Sequence, residues 1–401
     1  MKVLQINFVC GIGSTGRIAT DIHSLLVEKG YESWIAYGRG EPRNCNNVLK
    51  IGSKADTYLH VAKTRIFDKH GFGSKKATEV FIDKVKQLNP DIIHLHNIHG
   101  YYINVEVLFN YLKESNKKVF WTLHDCWVFT GHCSNFDYIG CNRWETGCYE
   151  CPQKKEYPKS LVKDNSFENY IKKKELLTGI KNMTIITPSK WLSALVKKSF
   201  LKDYPVKVIN NGIDLAIFKP TPTSFKKENN LEEKFVILGV ANVWGERKGL
   251  HYFIELANKI EPDEVVVLVG LTEKQIKSLP KNIIGIRNTE SAKQLAEIYT
   301  SADIYVNPTL EDNFPTTNLE ALACGTPIIT FNTGGSIESS LEPIGTIVEK
   351  GNIEELIKAI KKIRNNEELN YTDKCIDYAY RNFNKNDRFN DYIFEYNMEA
   401  E

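Results

Sequence analysis

The stretch that decides the fold is Asp303-Ile304-Tyr305-Val306-Asn307-Pro308-Thr309-Leu310-Glu311-Asp312-Asn313-Phe314-Pro315-Thr316-Thr317-Asn318-Leu319-Glu320-Ala321-Leu322-Ala323-Cys324-Gly325-Thr326-Pro327-Ile328-Ile329-Thr330. A short apolar strand over Asp303–Val306 runs into a polar loop bounded by Pro308 and Pro315. A helix is expected over Asn318–Cys324, stopped by Gly325 and Pro327, and Pro327–Thr330 reads as a second strand. Strand, loop, helix and strand in so few residues describe a βαβ unit, which belongs to a parallel sheet covered by helices. Asp312 falls in the loop and Glu320 in the first turns of the helix. Both therefore stand near the carboxyl edge of the sheet, where such folds bind ligands.

The same rhythm continues outward. Phe235–Val240, Val265–Val269 and Ile283–Ile286 read as strands, with helices over Leu250–Ile260, Ala292–Thr300 and Ile353–Arg364. The first half starts the pattern afresh, with strands over Val3–Asn7, Ser33–Ala36, Ile92–His94, Val119–Thr122, Thr184–Thr187 and Val206–Ile209. Helical spacing recurs over Ile18–Lys29, Val80–Leu88 and Val105–Ser115. A single core stops growing at roughly 250–300 residues, so the 401 residues predict two α/β domains, 1–218 and 219–377. The polar, Pro- and Lys-rich stretch Lys219–Lys234 marks the boundary. Residues 125–174 break the rhythm and read as an irregular insertion of the first domain. Residues 378–401, aromatic over Tyr378–Tyr396, read as a C-terminal helix packing back on that domain.

Composition excludes several classes. Hydrophobic residues at 42% and charged residues at 25% are those of an ordinary globular chain. The 52 Lys+Arg against 50 Asp+Glu leave a net charge of +2, which gives nucleic-acid binding no support. Seven lysines between Lys154 and Lys174, interleaved with Tyr157, Phe167 and Tyr170, read first as a solvated surface. The sharper alternative is contact with anionic lipid headgroups. No apolar run reaches the roughly 18 residues that span a bilayer. The N-terminal apolar stretch reads as a buried strand rather than a signal peptide, so a cytoplasmic chain with reduced cysteines is expected.

Two further loops carry chemistry. Gly11-Ile12-Gly13-Ser14-Thr15-Gly16-Arg17 follows the first strand and opens the first helix, where glycines admit close approach and free N–H groups favour anions. It departs from the dinucleotide fingerprint, since Arg39 stands where an acidic residue would be required, and a tight structural turn explains it equally. Gly239-Val240-Ala241-Asn242-Val243-Trp244-Gly245-Glu246-Arg247-Lys248-Gly249 ends another strand with two adjacent cations before a helix. Paired cations at that edge suit a diphosphate.

Taken together, the Asn307–Pro327 segment resembles the signature of the family 4 retaining glycosyltransferases, in which a Glu-x7-Glu pair precedes an Ala-x-Ala-x-Gly-x-Pro run. Asp312 fills the first Glu position, Glu320 the second, and Ala321–Pro327 the run. Val208–Asp214 through Phe218-Lys219-Pro220, Leu295–Asp303 and Thr333–Glu338 resemble other family segments in the same order. Thr122-Leu123-His124-Asp125-Cys126-Trp127 and the cysteine-rich segment look like the capsule, exopolysaccharide and O-antigen subgroup, of colanic-acid type.

The resemblance implies a GT-B fold, two Rossmann-like domains with parallel sheets facing across a cleft. It implies that Glu320 binds the donor ribose, that Asp312 stands near the sugar hydroxyls, and that Arg247 and Lys248 grip the diphosphate. Asn242 occupies the region of the family's upstream Arg, which has no counterpart here. His124 is implied to face the donor sugar, with Gly13 and Gly16 under the phosphates and Phe314, Pro315 and Thr316 lining the donor loop. No metal is implied for catalysis.

Cys133, Cys141, Cys148 and Cys151 form C-x7-C-x6-C-x2-C in loop-like sequence. Soft thiolates with a C-x-x-C knuckle suit a structural zinc, and buried loop cysteines are the alternative. His94, His96 and His99 lie at a strand end where alternate side chains point apart, so convergence on a metal is not expected.

The expected activity is transfer of a sugar from a UDP- or GDP-linked donor to a lipid-linked oligosaccharide, with retention, at the inner face of the membrane. A sugar-nucleotide epimerase, a silent sugar-nucleotide-binding protein and a zinc-organised interaction module are the alternatives.

Overall fold

Leu4 and Ile6 of the first strand turn to one core, with Ile93 and Trp121, while Val3 turns to another, with Ile92 and Phe120. Successive residues of a strand point to opposite faces, so two apolar faces require helices on both sides of the sheet. The computed structural model, which describes residues 1–366 and 370–398, has this arrangement twice.

The first unit comprises Met1–Asn210 and the chain from Phe389 onward. Its sheet is built from β1 (Lys2–Asn7), β2 (Glu32–Tyr37), β3 (Val48–Lys50), β4 (Ile92–Leu95), β5 (Lys118–Thr122), β6 (Met183–Thr187) and β7 (Val206–Val208). All neighbours are parallel, in the order β3-β2-β1-β4-β5-β6-β7. The second unit, Asn211–Arg388, holds β8 (Phe235–Val240), β9 (Glu264–Val269), β10 (Ile283–Ile286), β11 (Ile304–Asn307), β12 (Ile328–Phe331) and β13 (Gly345–Val348). Its order is β10-β9-β8-β11-β12-β13, again all parallel.

Between β5 and the helix Ser166–Leu177 the chain is irregular apart from two single turns, Trp127–Phe129 and Arg143–Glu145. Phe129, Phe136 and Trp144 tie it into the core of the first unit, with ring centroids 5.0 Å apart for the closest pair. Lys173 departs from the solvated face expected of the lysine-rich stretch. It is buried, donates to the carbonyls of Trp127 (2.7 Å) and Thr130 (3.1 Å), and lies 3.4 Å from the Trp127 ring centroid. Burial lowers its pKa to about 7. The ammonium satisfies carbonyls that the irregular backbone leaves without ladder partners.

The C-terminal aromatic segment forms two helices, Tyr371–Phe383 and Lys385–Asn397, where one was expected. Ile213 causes the break: its N–H donates to the Phe383 carbonyl (2.7 Å) and its carbonyl accepts from the Lys385 N–H (3.0 Å), so neither group continues the helix ladder. Phe389, Tyr392, Ile393 and Tyr396 then join Val3, Ile18 and Phe120 in one core of the first unit. Residues 399–401 of the expected segment lie outside the described residues. No helix among the described residues is long and apolar enough to cross a membrane.

Candidate functional site

In the second unit the chain runs from β8 out to β9 and β10, then returns to place β11 on the other side of β8. The loops after β8 and β11 therefore leave in opposite directions, and their divergence makes the crevice in which open α/β sheets bind ligands.

Those loops are tied together. The Leu310 N–H donates to the Arg247 carbonyl (2.8 Å), and the Arg247 guanidinium donates back to the Glu311 carbonyl (2.9 Å). Lys248 forms an ion pair with Asp312. Gly249 has φ +75° and lies where a Cβ would stand 2.2 Å from the Pro308 carbonyl oxygen, so only glycine allows this approach. A third loop, after β12, joins them: Thr333 Oγ1 donates to the Leu310 carbonyl (2.9 Å) and the Gly335 N–H to the Asp312 carbonyl (3.1 Å).

The helix Thr316–Ala323 begins at this junction, with Pro315 at its N-cap and no side-chain cap. Its start thus keeps main-chain N–H groups that no capping side chain meets. Asn318 anchors it, accepting from Asn307 Nδ2 at the end of β11 (2.8 Å) and donating to Ser339 Oγ (2.9 Å). Glu320, only 6% exposed, accepts from the Tyr299 hydroxyl at 3.0 Å. Burial, with the Glu320 charge, raises the Tyr299 phenol well above 10, so it remains a donor. Nothing in the sequence marked Tyr299 as Glu320's partner; a helical periodicity shows that it is buried, not what it faces.

Asp312, Lys248, Arg247 and the start of the Glu320 helix are thus assembled at one switch point. Asn242 is exposed in the β8 loop and Thr316 is half-buried. The Phe314 ring turns into the core, 6.0 Å from the ring of Phe383, so this residue offers the site its main chain only.

The first unit repeats the reversal between β1 and β4. Asn7, buried at the end of β1, donates to the Val9 carbonyl (2.9 Å) and accepts from the Asn97 N–H (3.3 Å), joining the two loops. The helix Gly13–Glu28 has no side-chain cap. Around Gly13, at φ +66°, no atom lies within 4 Å of where a Cβ would stand, whereas a Cβ on Gly16 would stand 3.0 Å from Val9 Cγ2. Gly13 therefore leaves room for a ligand and Gly16 fits the loop to its own helix.

His124 follows β5 and heads a buried chain of hydrogen bonds. Gln5 Nε2 donates to the Ala19 carbonyl (2.9 Å), which leaves Gln5 Oε1 to accept from His96 Nε2 (3.0 Å). His96 Nδ1 then accepts from His124 Nε2 (3.2 Å), a tautomer assigned from this network. Burial lowers the His124 pKa to about 4, so the ring is neutral with Nδ1 as its lone-pair nitrogen. The His94 ring lies 4.1 Å from that of His96 but bonds to Thr122 Oγ1 (2.8 Å) and the Tyr396 hydroxyl (2.6 Å), and His99 bonds to Asp125 (2.8 Å) and Tyr157 (3.1 Å). The three histidines do not converge.

Cys133, Cys141, Cys148 and Cys151 line one cavity with His132 and Trp144. All four are free thiols. Cys133 and Cys151 hydrogen-bond to each other, which lowers Cys151 to about 7, while burial raises Cys148 to about 11. His132 Nδ1 bonds to Asp68 (2.5 Å), and its Nε2 is buried without a partner. Among the described residues no three His, Cys, Asp or Glu side chains form a group that could hold a metal ion.

Comparison with known proteins gives the chain its relatives. The family model described as Glycosyltransferase Family 4 matches residues 15–217, and the one described as Glycosyl transferases group 1 matches residues 221–382. A protein of Escherichia coli K12, WcaC, whose name ascribes to it a glycosyl transferase step of colanic acid biosynthesis, is 24% identical over 386 residues, 90% of each chain. An Escherichia coli UDP-Gal:α-D-GlcNAc-diphosphoundecaprenol α-1,3-galactosyltransferase is 28% identical over 206 residues, 45% of this chain and 50% of that protein. Among solved structures, sucrose-phosphate synthase of Thermosynechococcus elongatus matches with a TM-score of 0.76 at 17% identity, over 99% of this chain and 98% of that one. The two parallel-sheet units are those of the GT-B class.

Proposed function

The chain belongs to glycosyltransferase family 4 and is a glycosyltransferase, and on that premise we propose that it moves a sugar from a UDP- or GDP-linked donor to a lipid-linked oligosaccharide in surface-polysaccharide synthesis. The observation that carries this reading is the meeting of Lys248, Asp312 and the Glu320 helix at one switch point. The buried carboxylate of Glu320, fixed on one side by Tyr299, accepts from the ribose hydroxyls. Lys248 and Arg247 neutralise the diphosphate, and the uncapped start of the Thr316–Ala323 helix adds favourable amide dipoles. The acceptor in the named galactosyltransferase relative is a diphosphoundecaprenol-linked sugar, which supports the acceptor class.

The proposed step retains anomeric configuration by front-face attack. The bond from the anomeric carbon to the phosphate oxygen breaks, and the acceptor oxygen bonds to that carbon on the same face. The acceptor proton passes to the departing phosphate oxygen. Lys248 exchanges part of its contact with Asp312 for the phosphate, which leaves Asp312 placed for the sugar hydroxyls. Such a preorganised cation at the departing charge is worth several kcal/mol, on the order of 10²–10³ in rate. In the first unit, taken by itself, the Gly13–Gly16 loop offers main-chain donors that suit a phosphate, and His124 is a neutral imidazole. Cys133, Cys141, Cys148 and Cys151 would hold a structural zinc in their cavity, where it would cross-link an irregular segment. The chemistry of the donor set fits, with four thiols and an unpartnered imidazole nitrogen on one cavity.

The test is product analysis with UDP- and GDP-sugars and an undecaprenyl-diphosphate-linked acceptor, the new linkage read by proton NMR. An axial-to-axial outcome supports the proposal. An inverted linkage refutes retention, free epimerised donor identifies an isomerase, and tight donor binding without turnover identifies a silent binding protein.

A further inference from the structure

Two thiols meet in the first unit away from the cysteine cavity. Of the nine cysteines, Cys45, Cys141 and Cys151 are half-buried and the other six are buried. Cys141 and Cys151 line the cavity described above, whereas Cys45 lies in the connection between β2 and β3. There it packs, with Val48, on a small core made by Cys10, Ala19, Ile35 and Tyr37. Cys10 is fully buried in the loop after β1 and directly precedes Gly11. The Cys45 thiol donates to that of Cys10, and this hydrogen bond lowers the Cys10 pKa.

Main-chain contacts hold the two segments side by side. The Gly38 and Arg39 N–H groups donate to the Phe8 carbonyl (3.2 and 2.8 Å), and the Arg43 N–H donates to the Cys10 carbonyl (3.2 Å). A Cβ on Gly11 would stand 2.3 Å from the Arg43 carbonyl oxygen, so the connection runs directly against the loop. Beyond Cys45, the Ile35 N–H donates to the Asn47 carbonyl (2.9 Å), and Asn47 Nδ2 donates to the Ser33 carbonyl (3.2 Å). Both cysteines are thus carried on backbone that is tied down close by. Two thiols held in contact, one of them open to solvent, are the arrangement that oxidants convert to a disulfide.

We propose that Cys10 and Cys45 are a peroxide-sensitive site, whose reversible disulfide pins the Gly11–Gly16 loop to the β2–β3 connection and slows the transferase. Solvent reaches Cys45, so its sulfur takes one oxygen from the peroxide. The O–O bond breaks, the thiol becomes a sulfenic acid, and water leaves. The Cys10 thiolate then attacks the Cys45 sulfur. The S–S bond forms, the S–O bond breaks, and the departing hydroxide takes the proton that Cys10 lost, giving a second water. The two sulfurs together give up two electrons, which the peroxide accepts. Because Cys10 precedes Gly11, the link fixes the main chain of the loop whose donors suit a phosphate. The disulfide does not depend on that phosphate contact; its effect on turnover rests on it.

The experiment treats the full chain with a small excess of hydrogen peroxide, alkylates the remaining thiols, and maps linked peptides by mass spectrometry without reduction. Thermal unfolding and donor turnover are read on the same sample before and after dithiothreitol. The expected map contains a Cys10–Cys45 link. The unfolding midpoint rises by several degrees, because the closed loop constrains the unfolded chain. Donor turnover falls by about tenfold, the scale on which misplaced binding groups act. Dithiothreitol reverses all three changes. Cys45→Ser and Cys45→Ala match the untreated wild type in turnover, form no link at Cys10, and keep their turnover in peroxide. A map of folded protein without the Cys10–Cys45 link overturns the inference, including one with only a Cys133–Cys151 link. Unchanged turnover in fully linked protein overturns it as well, as do variants that lose turnover in peroxide as the wild type does. If the reduced protein shows no turnover at all, the transferase proposal fails, and the peptide map still decides the disulfide.

Discussion

Lys248 and Asp312 stand 64 positions apart in the chain and form an ion pair at the point where the second sheet reverses its strand order. The pair is only partly exposed, at 25% and 18% of the side chains. It positions the ammonium beside the loop that leads into the Glu320 helix. At the position where the family signature has a glutamate, the shorter aspartate side chain is held by Lys248.

Lys248→Ala is predicted to lower kcat by about 10²–10³, since it removes a cation aimed at the departing phosphate. Thermal unfolding should move little, because a partly solvated ion pair contributes about 0–1 kcal/mol. Turnover and unfolding measured on the same preparation decide it; unchanged turnover would remove Lys248 from the mechanism.

Tyr299→Phe deletes one donor from a buried carboxylate. A hydrogen bond to a charged group is worth about 1.5–3 kcal/mol, so donor affinity should fall by about 10- to 100-fold while kcat changes less. Calorimetric titration of the nucleotide checks this. An equal loss in kcat and in affinity would show that Tyr299 acts in the transition state and not through the position of Glu320.

Acid sensitivity follows from the buried histidines. His124 titrates at about 4, His94 at about 3 and His60 at about 3, each lowered from 6.5 first by burial. Below 6.5 the unfolded chain takes up protons that the fold refuses, so stability falls as pH drops from about 6.5 toward 4, and these histidines add no slope above that window. Each histidine contributes about 1.4 kcal/mol per pH unit there. Thermal unfolding followed across that range should show the midpoint falling steadily, and a flat midpoint between about pH 7 and 5 would contradict the buried, neutral assignment.

Protein purified without chelator should carry about one zinc per chain, lost in Cys148→Ser together with a lower unfolding midpoint. Elemental analysis showing only a small fraction of a metal per chain would leave the cavity to hydrogen-bonded thiols alone.

The sequence made the sheets legible because their strands are buried on both faces and read as apolar runs, as in Val265–Val269 of β9. The edge strands β3 and β13 escaped, being three and four residues long with half-exposed patterns. The helix Lys54–Phe67 escaped for a different reason: its apolar residues face outward, so a search for an inward stripe finds the wrong side. At the site, the charged residues were visible from motif and spacing. Tyr299, Gln5 and His96 were not, because their roles depend on which neighbours the fold supplies. Phe314 sits in the right loop, but its ring belongs to the core.

The most direct test of the central claim is thermal stability of the wild type and of Glu320→Ala against UDP, GDP, ADP and CMP, without divalent metal. A ligand at about 100 times its Kd stabilises the folded state by roughly 2.7 kcal/mol, enough for a visible rise in midpoint. The account predicts that UDP or GDP raises the wild-type midpoint and leaves Glu320→Ala unmoved. No response to either diphosphate, or an equal response in the variant, would contradict the donor site described at the β8–β11 switch point.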